Sequence, residues 1–330
     1  MKTPPPATEP SPFKGEAIAI DPVCGMAVDR ERSVTLEDEG RLRFFCSRGC
    51  RDEFLGVGPL REEARAEELV RRVLDAPDLL RPAFQPIVSL ETSAVVGYEA
   101  LARFAPIPLQ PPEAWFQLAA RAGLTPELEA LALATELEVA GRRLPQADAF
   151  VSLNVSPLLL ADPRIACVLG ATPVAPRRLV LELTERDEIA DYEALRAAVE
   201  PYRTRGFRIA IDDAGAGYAS MRHITELAPD FVKLDARIIR GLTGDRARQA
   251  LVRAMTTFVG EIGAQLVAEG VERLDDLDLL IRAGRDMLVQ GHAVGRPGRP
   301  WPLATAPGID RVRARSFGLN GERPPRAPRE

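Results

Sequence analysis

The sequence predicts an α/β protein: a TIM-like (β/α)8 barrel with an antiparallel first strand, preceded by a small Cys-containing domain. Three features lead there. From about residue 82 onward, short β-branched apolar runs alternate with amphipathic stretches of helical length. Eight such runs fall within roughly 210 residues, the span of one closed barrel. The first two runs are separated only by Glu91-Thr92-Ser93, too short for a crossover, so they should pair antiparallel.

Taken in order, residues 1–16 are Pro-rich and expected to be disordered. Residues 17–60 hold Cys24, Cys46 and Cys50 in one small module. Residues 61–80 form a helical connector with Leu69, Val70, Val73 and Leu74 on one side, equally readable as a dimerisation helix or an ordinary surface helix. The barrel occupies 81–298, its strands predicted at 83–90, 94–104, 150–156, 179–185, 207–215, 231–235, 265–272 and 287–294. Thr125-Pro126 marks a helix start, and Gly206 and Gly263 mark helix ends just before strands. Residues 299–330 turn Pro- and Arg-rich and are expected to be an unfolded tail.

Composition narrows the function. A net charge of −5 disfavours non-specific binding to a DNA or RNA polymer or to an anionic membrane surface. No run approaches the roughly 20 apolar residues of a membrane helix, and the first residues carry no apolar leader core. A cytoplasmic protein is expected. The chain has two His, His223 and His292, which excludes His-rich metal chemistry, and it has no P-loop. Both His are expected to be structural. Cys167 lies apart and is expected to be buried.

The chemistry lies at the strand ends. Glu99, Asn154, Glu182, Asp212, Glu269 and Gln290 each sit late in an apolar run, where a barrel places its active site. Carboxylates gathered on one rim repel one another unless a cation neutralises them, so the pattern implies metal. An all-oxygen donor set favours Mg²⁺ or Mn²⁺. Asp212 and Asp213 are adjacent at a strand end before Ala214-Gly215-Ala216-Gly217, so both can turn to the rim and serve two ions about 3.5–4 Å apart. Lys233 supplies a fixed positive charge for a phosphate or an attacking water.

The strings Glu99-Ala100-Leu101, Asn154-Val155-Ser156, Glu182-Leu183-Thr184-Glu185, Asp212-Asp213 with its glycines and Tyr218, Lys233-Leu234-Asp235, Ala268-Glu269-Gly270-Val271-Glu272 and Gln290-Gly291 together resemble the EAL domain of bacterial cyclic di-GMP phosphodiesterases. The resemblance implies hydrolysis of cyclic di-GMP to linear pGpG by a homodimer. It implies that Glu99, Asn154, Glu182 and Asp212 ligate one metal and Asp213 a second. Lys233 would touch the nucleophilic water or second metal, Glu269 would hold or deprotonate water, and Gln290 would support that network. Arg103 would contact substrate phosphate, Gln85 would lie near substrate, and Glu185 would anchor the loop after Asp213. The family usually has Phe and Thr where this chain has Ala214 and Ala216, which bears on the anchoring of that loop. The competing readings are a catalytically silent cyclic di-GMP receptor and a metal-trafficking protein with a vestigial barrel.

Asp21-Pro22-Val23-Cys24, followed by Phe44-Phe45-Cys46 and Cys50, resembles a YHS or TRASH-type module of heavy-metal handling. Thiolates suit Zn²⁺, Cu⁺ or Hg²⁺. The module lacks His, so a fourth ligand would be Asp21, water or another chain. A unit of this size rarely folds without a staple, which favours metal and makes metal regulation of the barrel an expectation.

Overall fold

The first elements are two short antiparallel pairs, β1 (Ile18–Ile20) with β2 (Ala27–Asp29) and β3 (Val34–Asp38) with β4 (Arg41–Phe45). They belong to a computed structural model that describes residues 18–38, 40–56, 59–105, 111–142, 144–146, 148–184, 189–215 and 218–318. The predicted disordered start, Glu185, Ala216 and Gly217 lie outside the described residues. Helix α1 (Arg48–Phe54) follows, capped by Ser47, whose hydroxyl accepts the Cys50 amide at 3.2 Å. Phe45 and Val28 are the buried apolar residues of these strands, and the Phe45 ring meets Phe54 at 5.4 Å. Helix α2 (Pro59–Asp75) buries Ala66, Val70 and Val73, a stripe at helical spacing.

The chain divides into two units. One runs to Arg72 and includes Gln117–Leu124; the other takes Val73–Phe116 and the chain from Thr125 onward.

The second unit is the barrel. Its strands are β5 (Ala83–Ser89), β6 (Val95–Leu101), β7 (Phe150–Val155), β8 (Leu179–Leu183), β9 (Arg208–Ala214), β10 (Phe231–Leu234), β11 (Gln265–Ala268) and β12 (Met287–Val289). They close in the order β10-β11-β12-β5-β6-β7-β8-β9. β5 is antiparallel to both neighbours, β6 and β12, and every other pairing is parallel. The short turn after β5 therefore does what its length predicts. Helices α3 (Pro112–Arg121), α4 (Thr125–Arg142), α5 (Pro163–Gly170), α6 (Tyr192–Thr204), α7 (Tyr218–Leu227), α8 (Ala236–Ile239), α9 (Arg246–Glu261) and α10 (Leu274–Ala283) connect the later strands. α6 and α9 run into Gly206 and Gly263, at φ of 96° and 75°, a left-handed turn that glycine makes without strain.

Strand side chains split into two sets. Ile87, Phe150, Val180, Ala210, Phe231, Val267 and Leu288 form one layer inside the barrel, while their alternates join the larger core of strands and helices. Gly97 completes that layer: a Cβ there would stand 2.6 Å from the Phe150 ring.

Two expectations are corrected. Part of the segment expected as an unfolded tail is helix α11 (Ala306–Gly318), with Val312 fully buried and Arg311 3.2 Å from Asp278. Before it, the Trp301 ring packs 4.3 Å from Phe84 and 5.0 Å from Tyr98. A few well-placed apolar residues outweigh the Pro- and Arg-rich composition. Cys167 is exposed rather than buried, because α5 buries Ile165 and Leu169 one turn apart and Cys167 falls between them on the other side. Among the described residues no helix is long and apolar enough to cross a membrane.

Candidate active site

The inner layer fixes what comes next. Because side chains alternate, the residue two positions past each inward apolar residue also points inward, one layer up. From Val180, Ala210, Phe231, Val267 and Leu288 this leads to Glu182, Asp212, Lys233, Glu269 and Gln290; from Gly97 it leads to Glu99, and from Phe150 to Ser152 and then Asn154. β5 runs the other way, so Ile87 leads back to Gln85. The polar ring is thus the second storey of the barrel's own packing.

Asp213 breaks the alternation. Val232 pairs with Ile211 and Leu234 with Ala214, so Asp212 and Asp213 together oppose Lys233 alone. This is a β-bulge, with Asp213 at φ 54°. After it Ala214 joins the outer core with Ile209 and Ile211, which shows that the parity has flipped. The bulge lets adjacent aspartates serve one site, as their position at a strand end predicts.

Lys233, 2% exposed, is the hub. Its Nζ lies 2.6 Å from Glu182 Oε2, 2.6 Å from Glu269 Oε1, 3.2 Å from Asp212 Oδ1 and 3.7 Å from Glu99 Oε1. Asn154 Nδ2 donates to Glu99 Oε1 at 3.2 Å. Gln290 Nε2 donates to Glu99 Oε2 at 2.5 Å and to Gln85 Oε1 at 3.2 Å, and Gln85 Nε2 donates to Gly295 O at 3.0 Å. Ser152 Oγ donates to Glu182 Oε1.

One lysine cannot balance these anions. Burial, opposed by Lys233 and reinforced by Glu99 and Asp212, pushes Glu182 up to about 8. Burial, Asp212 and Asp235 push Asp213 up to about 6. Burial also drives Glu269 well above the usual carboxylate range. For Lys233, burial alone would favour the neutral amine, but Asp212, Glu182, Glu269 and Glu99 outweigh it and hold the ammonium firmly charged.

The donor set fits divalent cations. Asp212, Asp213 and Glu269 each offer an oxygen within 4.8 Å of the others. Asp212 Oδ1 is buried and accepts no hydrogen bond among the described residues, despite its nearness to Nζ. Protons held on crowded carboxylates are what hard cations displace.

Gln85, Glu99, Glu269, Gln290 and His292 line a cavity of about 200 Å³, with Arg240 and Glu272 also on its wall. His292 is exposed there, whereas His223 is buried, its ring 5.4 Å from Tyr192. Arg103 is not on the cavity wall; its Nη1 donates to the Ala102 carbonyl at 2.9 Å. The structure thus gathers Glu99, Asn154, Glu182, Asp212, Asp213, Lys233, Glu269, Gln290 and Gln85, and leaves Arg103 beside its own backbone.

Sequence reasoning missed Ser152, which shares its parity with Asn154, a signal that was present. It also missed Glu129 on α4, which accepts the Ser156 amide at 2.8 Å and its hydroxyl at 2.7 Å, fixing the turn after Asn154. Nothing local marks Glu129, because the pairing spans two elements.

In the first unit, Asp21, Cys24, Cys46 and Cys50 each offer an atom within 4.8 Å of the others. Cys46 Sγ lies 3.6 Å from Cys24 Sγ and 3.5 Å from Cys50 Sγ. Asp21 is already engaged: Oδ1 accepts the Val23 amide at 2.8 Å and Cys24 at 3.4 Å, and Oδ2 accepts Cys46 at 2.8 Å. Burial would raise its pKa, but the Cys46 and Val23 amides prevail and hold it well below the usual range. The Asp21 carboxylate and the Cys50 and Cys24 thiols push Cys46 up to about 12.

Known proteins share this barrel. A solved structure described as the PaMucR phosphodiesterase in complex with c-di-GMP matches at a TM-score of 0.64 and 28% identity, covering 71% of this chain and 98% of that one. Klebsiella pneumoniae BlrP1 in a manganese and cyclic di-GMP complex matches at 0.57 and 26%, covering 69% and 59%. Among curated relatives, an uncharacterised protein of Sinorhizobium fredii is 31% identical over 245 residues, 72% of this chain and 29% of that protein. The probable cyclic di-GMP phosphodiesterase PdeG of Escherichia coli is 28% identical over 254 residues, 73% of this chain and 49% of its own length. The chain thus spans at most about half of these two curated relatives. The EAL domain profile matches residues 67–297, the barrel and the helix leading into it, and with the ring of strand-end oxygens in place this chain belongs to the EAL domain family.

Proposed function

We propose that the barrel hydrolyses one 3′ phosphodiester bond of cyclic di-GMP, giving linear pGpG, with two Mg²⁺ or Mn²⁺ ions held at the rim. The observation that carries this reading is the Asp212, Asp213 and Glu269 cluster, in which a buried Asp212 oxygen accepts no hydrogen bond among the described residues and Glu269 lines the cavity. Glu99, Asn154, Glu182 and Asp212 would hold one ion and Asp213 the other. Bound there, the ions supply Lewis acidity toward water and phosphate oxygen and neutralise charge developing at phosphorus.

The chain's own residues do the rest. Glu269, 2.6 Å from Lys233 Nζ, would accept a proton from an attacking water, and the neighbouring ammonium would steady the charge on that water. Gln290 fixes the Glu99 carboxylate and, through Gln85, ties it to the cavity wall. Asn154 presents its amide nitrogen to Glu99 Oε1, which leaves its carbonyl oxygen as the ligand. Arg103 would meet a substrate phosphate by leaving the Ala102 carbonyl. Such an enzyme acts as a homodimer on the same reading.

The same proposal gives the thiol cluster a soft ion that modulates turnover. Asp21 holds the turn rather than the ion, since its oxygens already serve three backbone amides. Binding must displace thiol protons, so uptake strengthens as pH rises.

Incubating the full chain with cyclic di-GMP and Mn²⁺ should yield pGpG. Its absence across pH and metal conditions, with the nucleotide still bound, would establish a silent receptor instead. Titrating Zn²⁺, Cu⁺ or Hg²⁺ into native and Cys46→Ser protein tests the modulation; identical turnover in both removes it.

A further inference from the structure

The cavity wall carries a cation that the reaction at the rim does not use. Arg240 follows the short helix α8, and its Nη2 lies 3.0 Å from Glu272 Oε1. Both side chains are about half exposed, at 59% and 45%. An ion pair so open to water gains little from its own attraction, so the guanidinium can be shared with a second anion at small cost. Its planar fork of donors suits a phosphate.

The backbone brings this arginine to the cavity. Gly270, immediately after Glu269, takes φ 61°, and a Cβ there would stand 2.4 Å from Ala236 Cβ and 3.6 Å from Arg240 Nε. Only glycine lets the loop that carries Glu269 and Glu272 approach α8 so closely. The result is one wall on which Glu269 faces the reaction centre and, three residues on, Glu272 holds Arg240.

A cyclic dinucleotide has two phosphates. When one lies at the rim carboxylates, the other must lie elsewhere on the same ring. We propose that Arg240, positioned by Glu272, receives the phosphate that is not being cleaved, and so favours cyclic dinucleotides over simple diesters. This rests on the cyclic di-GMP reading given above.

The test uses the full chain with Mn²⁺ and two substrates, cyclic di-GMP and bis(p-nitrophenyl) phosphate, which has a single phosphate. Arg240→Ala should lower kcat/KM for cyclic di-GMP by about tenfold to a hundredfold, chiefly through KM, and lower it for the simple diester less than about threefold. Arg240→Lys should recover part of the loss, and Glu272→Gln should give a smaller rise in KM with kcat little moved. Binding of cyclic di-GMP with Ca²⁺ in place of Mn²⁺, with product formation checked, should weaken in Arg240→Ala by the same factor. Equal losses on both substrates, or no loss on cyclic di-GMP, overturn the assignment. Native protein that neither binds nor cleaves cyclic di-GMP overturns the functional reading and this one with it. Native protein that does both, matched by Arg240→Ala, overturns this one alone.

Discussion

In the barrel, Lys233 is sealed among Glu99, Glu182, Asp212 and Glu269, beneath a cavity and above a full layer of apolar side chains. In the first unit the order is inverted: a carboxylate, Asp21, is sealed, and the groups that would meet an ion, Cys24 and Cys46, stand exposed. The barrel's anions are set by its packing and would persist without an ion, held by a fixed ammonium and by shared protons. The thiols rest on a unit whose strands bury little beyond Phe45 and Val28. An ion at the rim therefore enters a site that is already folded, whereas an ion at the thiols supplies much of what holds its unit together.

The largest effect that would break this contrast is at the rim. Asp212→Asn should lower cyclic di-GMP turnover by about 10²–10³-fold while the melting temperature moves little, because the side chain keeps its size and the bulge keeps its backbone. A collapse of the fold in this variant would mean that the rim carboxylates are structural after all. Calorimetric titration with Mn²⁺ separates lost ion uptake from lost chemistry.

Next comes the hub. Lys233→Met removes the fixed cation from a buried ring of carboxylates and should cost about 3–5 kcal/mol of stability in a divalent-free buffer. Mg²⁺ should restore part of that, since an ion bound to the folded state alone stabilises it by mass action. Thermal melts with and without Mg²⁺ decide it. Equal melting in both buffers would show that the ring takes up no ion.

At the thiols, Cys46→Ser should weaken soft-metal uptake by about a hundredfold or more, since Cys46 is the sulfur that lies close to both others. In metal-loaded buffer, proteolysis of the first unit should be faster in Cys46→Ser than in native protein, with the barrel's melting unchanged. A barrel that destabilises in step would erase the distinction between the two sites.

These sites were unequally legible in the sequence. The rim could be read because each polar rim residue follows a β-branched run, and a strand's alternation carries the buried residue and the polar one two positions later into the same interior. Asp213 could be placed only as part of an adjacent pair; the bulge that turns it inward depends on pairing with Lys233, 20 residues further along in a different strand. Arg240 and Glu129 left no trace, because each acquires its partner across elements, Glu272 in one case and Ser156 in the other. The helix at 306–318 was hidden by composition: its arginines and the neighbouring prolines dominate the count, while the residue that anchors it, Val312, is a single fully buried valine among them.

The smallest effect sets two buried carboxylates against each other. Glu136, on α4, is raised to about 8 by burial and by the charges of Glu99, Glu129 and Glu182. A folded-state pKa above the unfolded value means that folding favours the protonated form. Its contribution is therefore intact below about pH 4.5 and is lost as pH climbs toward 8. Asp21 is shifted the other way, so its contribution is present above its unfolded pKa and lost as pH falls through the lower folded one. Glu136→Gln should raise stability by on the order of 2 kcal/mol at pH 8 and by close to nothing at pH 5. Asp21→Asn should lower the stability of the first unit at neutral pH, with the gap to native closing in acid. Added Mg²⁺ should shrink the Glu136 effect, because ions at the rim offset the field of Glu99 and Glu182 that helps keep Glu136 protonated. Melting curves of the two variants across pH, with and without Mg²⁺, would reveal any case in which the slopes run together; parallel slopes would mean that a common electrostatic field, rather than each carboxylate's own partners, governs both units.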